Sequence, residues 1–224
     1  MSKICCVFGA GEYPHKVVLP KKYDIIIASD GGYRKVCELG LTADFIVGDF
    51  DSLGYIPQGD NITLLPREKD VTDMDAAVNA GLSHGCDTFC MYGALGGRLD
   101  HSIANIQLCA RLSDMGVRGI LFGQDCAVFT IIGGKNKGKK LSSVNFSENF
   151  SGIISVFPVG GKVLGVCERG LKYTVQDKEL SAFDSLGISN EFIGERASIS
   201  CSHGTLSVVL FDIDNAIKLL DETQ

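Results

Sequence analysis

The sequence has no tryptophan, only 5 prolines, and no apolar run near the roughly 20 residues that a membrane span needs. A spanning helix is therefore not expected, and no membrane partner is predicted. Basic residues are in the minority, 21 Lys and Arg against 27 Asp and Glu, for a net charge of −6 at pH 7. General nucleic-acid binders usually carry a basic excess, so no nucleic-acid partner is predicted either. There is no GxxxxGK[ST] stretch, which excludes the standard P-loop. Cys86 and Cys90 stand four apart, but no second Cys/His pair accompanies them at zinc-finger spacing. Met1-Ser2-Lys3 leads into a short strand rather than a signal-peptide core. Cys5, Cys6, Cys90, Cys109 and Cys126 all sit among apolar residues. All nine cysteines read as reduced thiols of a cytoplasmic protein.

What is present is a chain of 224 residues, 45% hydrophobic, long enough for one large domain or two small ones. Its charge is unevenly placed. Residues 24–100 hold 13 acidic and 5 basic side chains, and 11 of the 13 are Asp; the remainder of the chain is slightly basic. Aspartate is a loop, cap and metal residue more than a helix former.

The first half alternates short apolar runs with helical stretches. Ile4–Phe8, Tyr23–Ala28, Phe45–Val47, Ile62–Leu65, Thr88–Tyr92 and Gly119–Phe122 read as strands. Tyr33–Leu39, Thr72–Leu82 and Leu99–Met115 read as helices. Strands with little alternation, separated by helices, predict a mostly parallel α/β sheet covered on both faces. Such sheets take ligands beyond the C-terminal ends of their strands. After residue 133 the pattern changes to short β-like runs: Ile153–Phe157, Lys162–Val166, Leu171–Val175, Ala197–Cys201 and Leu206–Leu210, with a last short helix at Asn215–Leu220. The reading is an α/β domain over 1–133, a Gly/Lys linker over 134–140, and a small antiparallel β-sandwich or barrel over 141–224.

Four constellations carry chemistry. Gly48-Asp49-Phe50-Asp51-Ser52 follows a strand, and its two carboxylates can turn toward one divalent cation. Lys69-Asp70-Val71-Thr72-Asp73-Met74-Asp75 opens a helix; capping explains part of it, a metal–phosphate site the rest. Gly93 through His101 carries Gly96-Gly97-Arg98-Leu99-Asp100 from a strand end into a helix, a geometry that offers N–H groups and a guanidinium to an anion. Ser29-Asp30-Gly31-Gly32 repeats the theme of strand end, carboxylate and glycines, as Gly9-Ala10-Gly11 repeats the glycines. Acidic groups for Mg²⁺, an arginine and glycine turns on one sheet edge suit phosphoryl transfer from a nucleotide.

Asp30-Gly31-Gly32, Gly48-Asp49-Phe50-Asp51-Ser52, Lys69-Asp70-Val71-Thr72-Asp73, Gly96-Gly97-Arg98-Leu99-Asp100-His101 and Leu186-Gly187-Ile188-Ser189-Asn190-Glu191-Phe192 resemble, in that order, the motifs of the thiamine pyrophosphokinase family. The resemblance implies Mg²⁺-dependent transfer of pyrophosphate from ATP to thiamine, giving thiamine diphosphate and AMP. It implies a metal–phosphate shell of Asp49, Asp51 and Asp73, with Arg98 and Asp100 joining Asp49 and Asp73 in catalysis. Asp30, Gly31, Gly32, Lys69, Asp70, Thr72, Gly96 and Gly97 would serve ATP. Ser189 and Asn190 would hold the pyrimidine ring of thiamine, in a homodimer whose thiamine sites are shared between subunits. Some members of the family place a tryptophan against thiamine. This chain has none, and Phe192 is the aromatic neighbour of the motif.

Two other readings compete. A haloacid-dehalogenase-like phosphatase also uses a DxD, but there the pair follows the first strand and a Thr or Val stands two places on. Here two strands precede Asp49, and the corresponding residue is Leu53. A non-catalytic nucleotide or thiamine sensor has less need for three metal-directed aspartates.

Overall fold

The computed structural model of the chain describes residues 2–59, 61–134, 142–211 and 213–221. The expected linker over 134–140 lies outside the described residues except for Gly134. The chain divides into two compact units, residues 1–105 with 121–124 and residues 106–120 with 125–224. The division falls inside helix α3 (Leu99–Asp114) and strand β6 (Arg118–Phe122).

In the first unit β1 (Ile4–Phe8) and β2 (Ile25–Ser29) are buried at every residue. They are followed by α1 (Gly32–Glu38), β3 (Phe45–Gly48), β4 (Ile62–Leu64), α2 (Asp73–Ser83) and β5 (Thr88–Tyr92), again buried throughout. All pairings among these strands are parallel, in the order β4-β3-β2-β1-β5. Cys6 stands in register with Ile26 on one side and Cys90 on the other. Continuous apolar runs fit this arrangement because central parallel strands are covered on both faces. The rings of Phe8, Tyr92 and Phe122 stack in series, with centroids 5.2 and 4.6 Å apart.

The strand order reverses at β1. The chain runs outward through β2, β3 and β4, then returns to place β5 on the other side of β1. Such a reversal leaves a crevice at the C-terminal strand ends, because the two loops there leave in opposite directions. The loops after β1 and β5 are tied together across it: Gly9 N–H donates to Tyr92 O (2.8 Å) and Gly11 N–H to Gly93 O (2.9 Å). Gly93 has φ +61°, and a Cβ there would lie 2.8 Å from Gly9 O, so no other residue fits that crossing.

Part of the acidic excess belongs to the opposite strand ends. Asp24 accepts from Ile4 N–H (2.8 Å), Asp44 from Ile26 N–H (2.7 Å) and Asp87 from Lys3 N–H (3.1 Å). Each satisfies the first donor of a neighbouring strand or its lead-in, a structural role.

The second unit contains β7 (Ala127–Gly133), β8 (Ser143–Phe146), β9 (Ile153–Arg169), β10 (Val175–Ser181), β11 (Asn190–Glu191), β12 (Ala197–Ser200), β13 (His203–Leu210) and α4 (Ile213–Asp221). Its pairings are antiparallel: β13 lies between β7 and β9, and β12 between β8 and β9. The runs Ile153–Phe157 and Lys162–Val166 are not two strands but one of 17 residues. Gly160 (φ +79°) and Gly161 (φ +147°) bend it without ending it. Its first part pairs with β11 and its last part with β12, so one strand serves two sheets. Sequence reading also places a strand at Leu171–Val175; the ladder instead begins at Val175 and continues to Ser181. Beyond β6, β7 and β8 also form, although neither was expected as a strand.

Candidate active site

A cleft of about 630 Å³ opens in the first unit at the C-terminal ends of its parallel strands. Asp30, Asp49, Asp51, Asp73, Lys69, Thr72, Gly96, Gly97 and Arg98 all line it. The loops after β1 (Gly9 to Gly11) and β5 (Gly93, Ala94) form its floor.

Backbone strain gathers the carboxylates. Phe50 has φ +60° and Asp30 φ +46°, left-handed values that cost a non-glycine residue about 1 kcal/mol or more. Phe50 is held there by burial of its ring. With Phe50 turned inward, Asp49 and Asp51 fall on one side. Asp30, held by its N–H to Val47 O (2.8 Å), joins them from the end of β2. Asp30, Asp49 and Asp51 bring a carboxylate oxygen each within 4.8 Å of one another. Asp30 Oδ1 is buried and has no hydrogen-bond partner. An all-oxygen donor set with an unsatisfied buried oxygen fits a hard divalent cation such as Mg²⁺.

Asp73 is not part of that trio. It stands in the first turn of α2, which Thr72 caps by accepting from Asp75 N–H (3.1 Å). Its carboxylate meets Lys69 Nζ at 3.0 Å, and the same ammonium donates to Asp49 Oδ2 at 2.7 Å. Lys69 and Asp49 are only 12% and 11% exposed, so this bridge is shielded from water. The Lys69 hydrogen bond pulls the Asp49 carboxyl below its ordinary range. Burial lifts the Asp73 carboxyl above its own, more than Lys69 lowers it. Burial works against the Lys69 ammonium, but the bonds from Asp49 and Asp73 outweigh it and raise its pKa.

At the other wall, Arg98 grips Asp100 with two parallel bonds, Nε to Oδ1 (3.1 Å) and Nη2 to Oδ2 (2.6 Å). The Arg98 fork holds the Asp100 carboxyl down at about 2. Both side chains are exposed, so the guanidinium is free to exchange this partner for a phosphate. The glycine turn before them is partly engaged already. Gly97 N–H donates to Glu12 Oε1 (3.1 Å) and Gly96 N–H to Ser102 Oγ (3.1 Å).

Of the other residues expected to serve ATP, Asp70 is exposed and outside the cleft lining, and Gly31 lines a neighbouring groove. Gly32 is buried, where a Cβ would collide with Phe8 O, so its part is close packing. Two lining residues, Arg67 and Asn105, lie outside every motif the sequence offers, and Ser52 stands in a motif without an assigned role. Arg67 has no ion-pair signature in its local pattern. Ser52 is the last residue of the DxD motif. Asn105 lies one helical turn beyond His101, with its amide donating to Ala94 O (2.6 Å).

In the second unit Ser189 is exposed and Asn190 is buried. Phe192 packs with Phe146 and Phe150, centroids 5.2 and 5.7 Å away, and is only 7% exposed, so its ring offers no face for stacking. Tyr173, bonded to Asn190, is the exposed aromatic of that neighbourhood.

Carboxylates gathered where the strand order of a parallel sheet reverses, with a shielded lysine among them, place the chain in the class of α/β enzymes that handle nucleotide phosphates. The comparisons with known proteins narrow the class. Residues 18–121 match the family model described as thiamin pyrophosphokinase, catalytic domain, and residues 143–206 match thiamin pyrophosphokinase, vitamin B1 binding domain. The chain is 24% identical over 194 residues to thiamine pyrophosphokinase of Bacillus subtilis (strain 168), covering 84% of this chain and 87% of that one. It is 26% identical over 168 residues to thiamine pyrophosphokinase 2 of Oryza sativa subsp. japonica, covering 70% of this chain and 61% of the other. The crystal structure of thiamine pyrophosphokinase from Bacillus subtilis shares the fold with a TM-score of 0.78 at 22% identity, over 94% of this chain and 99% of that one. Thiamin pyrophosphokinase from Candida albicans gives 0.74 at 17% identity, over 94% and 90%.

The chain belongs to the thiamin pyrophosphokinase family. It is an enzyme, and its reaction is the ATP-dependent transfer of pyrophosphate to thiamine, forming thiamine diphosphate.

Proposed function

We propose that the cleft of the first unit performs this transfer with Mg²⁺ held by Asp30, Asp49 and Asp51. The observation that carries the reading is the carboxylate trio with its orphan Asp30 oxygen. The cleft is lined by four carboxylates against Lys69, Arg67 and Arg98. Such a lining would repel a polyphosphate unless a further cation offset it. Mg²⁺ would supply that charge and neutralise oxygens of the transferring group.

The protein's own residues do the rest. Lys69 is placed to exchange Asp49 or Asp73 for a phosphate oxygen, and Arg98 to exchange Asp100 for another. Asp73, freed from Lys69, then faces the reacting group and with Asp49 completes the catalytic set. The hydroxyl oxygen of thiamine bonds to the β-phosphorus while the bond to the α-phosphate oxygen breaks, and AMP leaves. The hydroxyl proton must pass to a base, and the raised carboxyl of Asp73 is the candidate within the cleft.

Residues 1–133 would thus serve nucleotide and metal, and residues 141–224 thiamine and the contacts of a homodimer. Ser189 is the candidate for the pyrimidine ring. The nine free cysteines, most of them buried, suit the cytoplasm. No described helix is long and apolar enough to cross a membrane. The test is incubation with ATP, thiamine and Mg²⁺, followed by chromatography. Thiamine diphosphate and AMP in equal amounts, abolished by EDTA, are the expected result. ADP as the nucleotide product would overturn attack at the β-phosphorus, and full turnover in EDTA would overturn the metal site.

A further inference from the structure

We infer that Glu168 is a positioning residue for thiamine, acting through Asn190 on the segment that presents Ser189; this rests on the proposed reading that Ser189 meets the pyrimidine ring.

Ser189 has φ +58°, an uphill conformation for serine that must be held from outside. Its N–H donates to Ser155 Oγ (2.9 Å), a buried hydroxyl of β9, and Gly187 O accepts from Val156 N–H (2.8 Å) on the same strand. The next residue, Asn190, is 4% exposed and fully engaged. Its Nδ2 donates to Tyr173 O (2.7 Å) and to Glu168 Oε2 (2.8 Å). Its Oδ1 accepts from Tyr173 N–H and Glu191 N–H, both at 2.9 Å. An amide makes at most these four bonds, so none is left for a ligand. Asn190 is a bracket between Tyr173 and the Ser189 segment rather than a thiamine contact.

Glu168 stands behind that bracket. It lies in β9 opposite Val175 and Ile199, and is 1% exposed. Its Oε2 accepts from Asn190 Nδ2, and its Oε1 has no hydrogen-bond partner. A carboxyl so placed is costly to bury, and an apolar side chain would fill the position at less cost. What the carboxyl does is fix the amide plane. A flipped Asn190 would set its oxygen against both Glu168 Oε2 and Tyr173 O, and turn its NH₂ against two N–H donors. With the plane fixed, the 171–173 segment and the 189–191 segment keep their spacing. They are tied further by Lys172 N–H to Glu191 O (3.0 Å) and by the Lys172–Glu191 ion pair (2.7 Å).

The test is steady-state kinetics for both substrates on Glu168→Met, Glu168→Gln and Ser189→Ala, each checked for folding by circular dichroism. Glu168→Met keeps the length and loses the acceptor. It should raise the KM for thiamine about tenfold, with the KM for ATP and kcat within about threefold of the parent. Glu168→Gln keeps an acceptor and should restore the thiamine KM to within about twofold. Should Glu168→Met fail to fold, Glu168→Asp, whose carboxylate falls one methylene short, carries the same expectation. A general loss of structure would move both KM values and would not be rescued by glutamine; either result overturns the positioning role. Ser189→Ala separates the two readings. If it leaves the thiamine KM unchanged, the placing of thiamine at this segment fails. If it raises that KM while the Glu168 variants do not, only the role of Glu168 fails.

Discussion

The two units hold strained residues in opposite ways. In the first, Asp30 and Phe50 take left-handed backbone angles and bring three carboxylates within reach of one another, with the buried Asp30 Oδ1 left without a partner. In the second, Ser189 takes the same kind of angle, but its neighbour Asn190 spends every donor and acceptor internally. An unspent carboxylate oxygen suits the proposed site for a cation and a polyphosphate, where charge shifts during reaction. Spent hydrogen bonds suit a surface whose task is to keep a shape. If the proposed division of the reaction into chemistry and recognition holds, variants in the two units should separate in kcat and KM.

The largest effect should come from Asp49→Asn. Removing one charge of the trio should lower kcat by about a thousandfold or more, with little change in the thiamine KM, as read by AMP release. A variant retaining more than about a tenth of the activity would break the comparison at its stronger side. Next is Lys69→Met. A charge-assisted bond to a phosphate is worth about 1.5–3 kcal/mol, so kcat/KM for ATP should fall roughly tenfold to a hundredfold. A loss confined to thiamine would show that Lys69 serves the other substrate.

Ser189→Ala should be milder, raising the thiamine KM by about threefold to tenfold and leaving ATP untouched. Parallel loss for both substrates would erase the distinction between the units.

The smallest expected effect is on stability. Burial pushes the Glu168 carboxyl above its ordinary value, more than the Asn190 hydrogen bond lowers it. The folded protein therefore keeps that proton to higher pH than the unfolded chain does. Its contribution is complete below the ordinary carboxyl range and is lost as pH rises through the folded value. Glu168→Gln has no such loss, so its urea midpoint should gain on the parent as pH is raised from the ordinary glutamate value of about 4.3 upward. A constant difference across that range would mean the carboxyl titrates as an ordinary one.

Much of the fold is legible in the sequence. The runs Ile4–Phe8 and Thr88–Tyr92 announce buried parallel strands because neither alternates. Thr72 announces a helix start by its spacing to Asp75. The DxD motif and the Lys69–Asp73 run point to the cleft only when taken together at one sheet edge, since capping accounts for part of the second. The β-rich unit was less legible. Gly160-Gly161 signals a turn in any local reading, yet β13, β11 and β12 pair along β9 on both sides of it and keep it one strand.

The sequence by itself determined the parallel and antiparallel halves, the strand-end position of the acidic motifs and the family to which they belong, since these depend on neighbours along the chain. Only the tertiary structure decided which acids stand together. Asp73 lies nearer Lys69 than the trio, while Asp30, some twenty residues upstream of Asp49, joins Asp51 because β2 and β3 are adjacent and in register. It also decided that Asp24, Asp44 and Asp87 tie strand ends, that Phe192 is core, and that Asn190 is spent on Glu168 and Tyr173. A hydrogen bond between residues distant in the chain depends on backbone separations that only the folded sheet sets, and local pattern carries no record of them.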